Sequence, residues 1–363
     1  MLRPRRRSVF IALAMACVLA AVVGVQLAWQ WKRAYDNVNA MIVPTVVLPP
    51  PAPTVSPTPA AAPTSAARQP QAVVPTVPPA PQPTAIPSPD GPVNILLMGT
   101  DARPGEDISR TDTMIVVRVD PRSDRVSMLS LPRDLLVTVP QFGKYTINAA
   151  YPLGEKQLGK GYGAALAKET VAQLLGIKID YFMLVNFDGF KTLIDRLGGI
   201  YVDVPKVIVD SAYPTDNYGT IKVRFDAGRQ LMNGERALIY ARTRHADNDF
   251  GRIQRQQQVI MAIFNRVRDQ GLLTQITNVD DYTDALRDTI RTDMPRDTML
   301  SLATVGPRLS ADHIERFAIK PPLVVEQLQP TYALLLRDRT GLQKIVDQMM
   351  SGTVAAGGEN ATR

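Results

Sequence analysis

VNILLMGTDARPGEDISRTDTMIVVRVDPRSDRVSMLSLPRDLL, residues 93–136, holds three short apolar runs separated by polar turns. VNILLMG (93–99) ends at a glycine and reads as a buried strand. MIVVRVD (114–120) and RVSMLSL (125–131) read as two more, joined by the turn-rich PRSD. Downstream the period changes. GAALAKETVAQLLG (163–176) has helical spacing and a glycine stop, YFMLVNF (181–187) returns to strand, FKTLIDRLGG (190–199) to helix and IYVDV (200–204) to strand. Strands alternating with helices predict an α/β body, layered, with a central mixed sheet flanked by helices.

Upstream of Val93 the texture is different. Residues 44–92 hold seventeen of the thirty prolines, mixed with Ala, Thr, Ser and Val, and no hydrophobic period survives there. Extended as polyproline II, such a stretch reaches on the order of 150 Å at most, so a passive linker that lifts the body off a surface is expected. Residues 9–29 are apolar apart from Gln26 and span roughly 30 Å as a helix, the thickness of a bilayer core. MLRPRRR before them and WQWKR after them place residue 1 in the cytoplasm and the remainder outside. The run is longer than a cleaved signal peptide needs and lacks a small-residue cleavage site, which favours an uncleaved signal anchor. The expected organisation is a basic tail (1–8), a transmembrane anchor (9–29), a juxtamembrane segment and Pro-rich linker (30–92), a catalytic domain (93–270) and a C-terminal extension of the body (271–363) to which no motif assigns a function.

Composition narrows the chemistry. Cys17 is the only cysteine, so no intrachain disulfide forms. With two histidines and no cysteine pair, a metal must be held by oxygen, which points to magnesium, manganese or calcium. The net charge of +7 is concentrated at the front. Residues 91–363 carry 34 Lys/Arg against 32 Asp/Glu, so the body lacks the basic field of a nucleic-acid binder.

Polar residues fall at the ends of the strands. Asp101 follows the first, Asp112 opens the second and Arg133 follows the third, where ligands of open α/β sheets commonly bind. YARTRHADNDFGRIQRQQQ (240–258) reads as the end of one helix, a loop and the start of another, with Arg242, Arg244, Arg252 and Arg255 close together. Residues 222–268 contain ten Lys/Arg against four acids, so pairing cannot neutralise the segment, and an anion at the helix start is favoured over a solvated face. Ile253, Ile260, Phe264 and Val267 share one face of this helix, with Arg252, Arg255 and Gln256 on the adjoining side. GKGYG (159–163) lacks the ending of a phosphate loop and reads as a helix start. His245 reads as a neighbour of the site, and Asp195 and Asp203 as a helix surface and a strand end.

Taken together, NILLMGTDAR, SRTDTMIVVRVD, VSMLSLPRDLLV, INAAYPLG, YFMLVNFDGFKTLIDRLGGI, LMNGERALIYARTR and DFGRIQRQQQVI resemble, in order and spacing, the LytR–CpsA–Psr family. The resemblance covers about 94–267. It implies a membrane-anchored phosphotransferase that moves a phosphoglycan, such as teichoic acid or capsule, from a polyprenyl-pyrophosphate carrier to a peptidoglycan hydroxyl. It implies Asp101 and Asp112 as holders of Mg2+, or Mn2+. Arg133, Arg242, Arg244 and Arg252 are implied as catalytic contacts to the pyrophosphate, with Arg255 and Gln256 binding substrate. Asp134 and Asp249 are both open as the acceptor's general base. Two rivals stand beside this enzyme. One is a non-catalytic binder of anionic wall polymer, which needs the arginines but not the aspartate pair. The other is a transcriptional regulator, opposed by the near-neutral body and the outside location.

Overall fold

The computed structural model describes residues 30, 32–50, 91–100, 109–215, 219–244, 247–270, 287, 289–303, 305, 308–309, 313–328 and 332–351. The expected anchor 9–29 and most of the Pro-rich stretch lie outside these residues. Among the described residues no helix is long and apolar enough to cross a membrane.

The chain begins its body with a meander, β1 (Val93–Thr100), β2 (Thr111–Asp120) and β3 (Arg125–Leu131), each within three residues of the run that predicts it. A hairpin of β4 (Leu136–Val139) and β5 (Gly143–Thr146) leads to α1 (Tyr162–Leu175), then β6 (Tyr181–Asn186) and α2 (Phe187–Arg196). A small β-rich unit follows: β7 (Ile200–Val204), β8 (Ile208–Pro214), β9 (Thr220–Phe225) and β10 (Gly228–Met232). Next come α3 (Gly234–Arg242) and α4 (Asp249–Asp269). The last part of the chain gives β11 (Ile290–Thr292), α5 (Arg296–Ala303), β12 (Ile314–Ala318), a hairpin of β13 (Val324–Gln327) and β14 (Ala333–Leu336), and α6 (Arg339–Ser351).

The central sheet has the order β11-β6-β1-β2-β3-β12 and is mixed, because β1–β6 and β3–β12 are parallel while the other pairs are antiparallel. Alternation along the strands sends Leu96, Met98, Met114, Val116, Leu129 and Leu131 to one face. There they pack against Leu166, Ala167 and Val171 of α1 and Leu342, Val346 and Met349 of α6. α4 lies over the opposite face, where Gln257 Nε2 donates to Ser130 Oγ (2.9 Å) and to the Phe317 carbonyl (2.8 Å). The other side of α4 meets the β-rich unit, and Val259 and Ala262 share a core with Ile200, Val202 and Phe225.

One expectation needs correction. The predicted apolar face of α4 is displaced: Ile253 is buried, but Ile260 and Phe264 are only half-buried, while Arg252 (5 % exposed) and Arg255 (3 %) join Val259 and Ala262 on the buried side. The helix is covered on two sides, so its polar residues go inward wherever a partner waits. The C-terminal extension is woven into the body, because both edge strands of the central sheet and one core helix come from residues beyond 270.

Candidate active site

Strand pairing fixes the first element of the site. Gly99 pairs with Thr113 and Thr100 with Thr111, so Asp112 is the extra residue of a β-bulge. A bulge leaves its residue unpaired and re-aims its side chain, which turns Asp112 off the ladder at the sheet's end. Thr100 also pairs with Asn186 of β6, so the strand ends that precede Asp101 and Phe187 adjoin here. Asp101 itself lies outside the described residues. Among the described residues no three carboxylate, His or Cys side chains gather as a metal cage.

Arg133 follows β3 and reaches three carboxylates. Its Nη1 lies 3.0 Å from Asp112 Oδ2, and its Nε 3.4 Å from Asp134 Oδ2 and 3.9 Å from Asp249 Oδ1. Burial pulls its pKa down, but the charges of Asp112, Asp134 and Asp249 outweigh that and hold it above the ordinary value. Asp249 opens α4 behind the cap Asn248, whose Oδ1 accepts from the backbone N–H groups of Phe250 and Gly251 at 3.1 Å each. Arg252, one turn on, donates to Asp249 at 3.0 Å and weakly to the Asp112 carbonyl at 3.4 Å. Its Nε is buried with no hydrogen-bond partner. Burial depresses the Arg252 pKa, against the pull of Asp249, and burial lifts the Asp249 carboxyl, against the pull of Arg252 and Arg133.

The remaining arginines divide by role. Arg255 is fully engaged: its Nε donates to the Tyr240 carbonyl (3.1 Å), Nη1 to Asp247 Oδ2 (2.6 Å), and Nη2 to Asp247 Oδ1 (3.0 Å) and the Thr243 carbonyl. These contacts tie the end of α3 to α4 and hold the connecting loop. Gly251 serves the same clasp, because a Cβ there would collide with the Asp247 carboxylate. Arg242, half-buried, lies 4.3 Å from the centre of the Phe187 ring and donates to Tyr213 Oη at 3.2 Å. Arg244 is exposed and is fixed through its backbone N–H, which donates to the buried Asp210 at 3.2 Å. Gln256 is half-buried on α4. The structure thus joins Asp112, Arg133 and Arg252 in one charged cluster, sets Arg242 beside the end of β6, and gives Arg255 a holding position. His245 lies outside the described residues.

The LytR_cpsA_psr family model matches residues 62–351. The chain belongs to that family. It is 37 % identical over 214 residues to the polyisoprenyl-teichoic acid–peptidoglycan teichoic acid transferase TagU of Oceanobacillus iheyensis, covering 58 % of this chain and 62 % of that protein. The match therefore spans less than two thirds of that relative's length. The crystal structure of Bacillus subtilis TagV is similar with a TM-score of 0.59 and 31 % identity, over 72 % of this chain and 97 % of that one. An Enterococcus faecalis protein described as a transcriptional regulator is similar with a TM-score of 0.56 and 28 % identity, over 72 % and 87 %.

Within this member of the LytR–CpsA–Psr family, the C-terminal hairpin also reaches the site. Leu334 N–H donates to the Asp134 carbonyl (2.9 Å), and Leu135 and Leu334 form a parallel bridge. Tyr332, two residues earlier, is 46 % exposed, and its phenol pKa is raised by burial, by Glu326 and by the charges of Asp134 and Asp249. Sequence reading missed Tyr332 because no local motif signals a pairing across the length of the body. The GKGYG segment does start a helix. Glu155 accepts from the Gly161 and Gly163 N–H groups (3.0 and 2.9 Å), taking the donors that a phosphate loop would present. Asp195 is more than a helix surface, since it accepts from the Gly234 N–H at 2.7 Å and joins α2 to α3.

Proposed function

We propose that the chain is a membrane-anchored phosphotransferase. It moves a phosphoglycan, of the teichoic acid or capsule type, from a polyprenyl-pyrophosphate carrier to a peptidoglycan hydroxyl at the outer face of the membrane. The observation that carries this reading is Arg252, a guanidinium buried at a helix start with an unpartnered Nε beside Arg133. An arginine so placed is costly unless an anion completes its hydrogen bonds. The relatives' names supply the substrate class, and the family's shared fold supplies the frame.

In the reaction, the acceptor hydroxyl oxygen bonds to the glycan-side phosphorus. The bond from that phosphorus to the bridging oxygen breaks, and polyprenyl phosphate leaves with the electron pair. The hydroxyl proton passes to a carboxylate, for which Asp249 is our choice over Asp134, because burial has already raised its proton affinity. Arg252 and Arg133 stabilise the charge that grows on the transferring and leaving oxygens. Arg242, at the end of α3, and Arg244, in the loop that Arg255 holds, add positive charge.

The cluster as it stands has three carboxylates, Asp112, Asp134 and Asp249, against two guanidiniums, Arg133 and Arg252. A pyrophosphate added to this excess of negative charge needs a cation with it. Oxygen donors from one or two carboxylates fit a hard divalent ion that keeps phosphate oxygens and waters as its other ligands. Asp112, with Asp101, would hold Mg2+ or Mn2+, which supplies positive charge against the diphosphate oxygens.

The test uses the full chain in detergent with a lipid-pyrophosphate glycan, peptidoglycan oligomers and Mg2+, followed by mass spectrometry. A phosphodiester-linked product and released polyprenyl phosphate are expected. Binding without either product would replace the enzyme with a wall-polymer binder. For topology, a reporter fused after Arg363 is expected to be active only outside the cytoplasm, and a cytoplasmic signal would remove the surface location.

A further inference from the structure

We propose that residues 32–50 are a strap belonging to the folded body, so that the chain first meets the body directly after residues 9–29 and not beyond the Pro-rich stretch. Residues 32–41 form a helix whose Ala34, Asn37 and Met41 are buried, at 3, 4 and 6 % exposure. Their spacing of three and four puts one stripe against the body. The Arg296 guanidinium of α5 stacks 4.0 Å from the centre of the Tyr35 ring. Past the helix the strap becomes an extra edge of the central sheet: Ile42 bridges Thr292 of β11 in parallel, and the Val43 N–H donates to the Thr292 carbonyl at 2.8 Å. Val43 and Leu48 pack on the main core, and Gln141 Nε2 donates to the Pro49 carbonyl at 2.9 Å. This is a docked segment with side-chain, backbone and aromatic contacts along its length.

Pro49 and Pro50 line a groove of roughly 830 Å³ together with Lys178 and Ile179, which lead into β6. The end of the strap thus forms part of a groove wall on the body. The chain between the apolar run and the first body contact is then a few residues long, not the sixty or so of residues 30–92. That consequence for membrane distance rests on residues 9–29 being the anchor. The docking does not.

Hydrogen exchange on the full chain in detergent tests the strap. A helix of about ten residues is marginal alone in water, so its protection reports docking. Amides 36–43 are expected to exchange at least on the order of 100-fold slower than free peptide. Met41→Asp is expected to erase that protection while amides 95–98 of β1 keep theirs. Free-peptide exchange in the wild type would overturn the strap, as would protection that survives Met41→Asp. None of these readouts uses the topology reporter, so a failed anchor and a failed strap are told apart.

Discussion

At the end of the central sheet where β6 begins, the half-buried Lys168 and the buried Asp293 form a completed set. Lys168 Nζ lies 2.7 Å from Asp293 Oδ2 and donates to the Asp180 carbonyl at 2.7 Å, while Asp293 Oδ1 accepts the Phe182 N–H at 2.8 Å. At the opposite end, where β1 and β3 finish, Arg252 is buried as deeply but left with an unpartnered Nε, and Asp249 beside it is pushed toward protonation. Both ends place charge inside the protein. Where the bonds are complete, the charge holds the fold. Where they are incomplete, a donor is left over, as the proposed pyrophosphate site requires.

The sharpest way to break this contrast is to remove a member of the completed set. Asp293→Ala leaves Lys168 without its counter-charge and the Phe182 N–H unpartnered, and is expected to cost about 3–5 kcal/mol of stability. The urea midpoint reads that loss, and turnover per folded molecule is expected to hold. A fall in turnover per folded molecule would tie this end to catalysis.

Arg252→Ala should act in the other order, cutting turnover by ~10²–10³-fold. Sequence reading placed Arg252 off the core face and implied an unmoved thermal midpoint. Its observed burial beside Asp249 predicts a lowered midpoint as well. Arg252→Lys separates the two effects, because it keeps the charge and much of the packing but not the planar fork. The midpoint is expected to recover largely and turnover only in part. Full recovery of turnover would reduce Arg252 to a structural charge.

The pH profile sharpens the comparison further. Burial raises the Asp249 carboxyl above its ordinary 3.8, with Arg252 and Arg133 opposing. A raised carboxyl favours the protonated folded state, so the Asp249 contribution to stability is lost as pH rises through the folded value. The ionised base appears over the same window. Turnover is therefore expected to fall as pH is lowered through a limb that lies above the ordinary carboxylate value, and Asp249→Asn should abolish the limb along with most of the rate. A limb that persists in Asp249→Asn would transfer the role to Asp134. The smallest effect is expected at the rim: Tyr332→Ala should raise the acceptor KM by about tenfold or less, on the scale of one exposed aromatic contact, with kcat nearly unchanged. A change confined to kcat would place Tyr332 against the reacting groups instead.

Much of the fold was legible because the meander, α1, β6 and α2 carry strong periodic patterns bounded by Gly, Pro or Asp turns. The edge strands were not. β11 is three residues long, and β12, IERFA, breaks the apolar alternation as exposed edges tend to do. The site was legible as a set of arginines and aspartates at strand ends, but their division of labour was not. Arg252 and Arg255 are three residues apart on one helix face and chemically identical. What separates them is the position of the Tyr240 and Thr243 carbonyls and the Asp247 carboxylate, which converge on Arg255 alone. The docked strap was hidden for a similar reason: nothing local in residues 32–50 distinguishes a segment that packs from one that spans.

β3 finds its outer neighbour in β12, and Ser127 Oγ donates to Glu315 Oε2 across 188 residues of chain. A chain emerging from its N-terminus first therefore carries β3 with a bare edge until β12 is made. Helix α6, which closes the core over the sheet, follows β12 in the chain. Folding to the finished body has to wait for both, and such long-range closure is slow. A chain cut short before β12 offers the open edge of β3 to other chains.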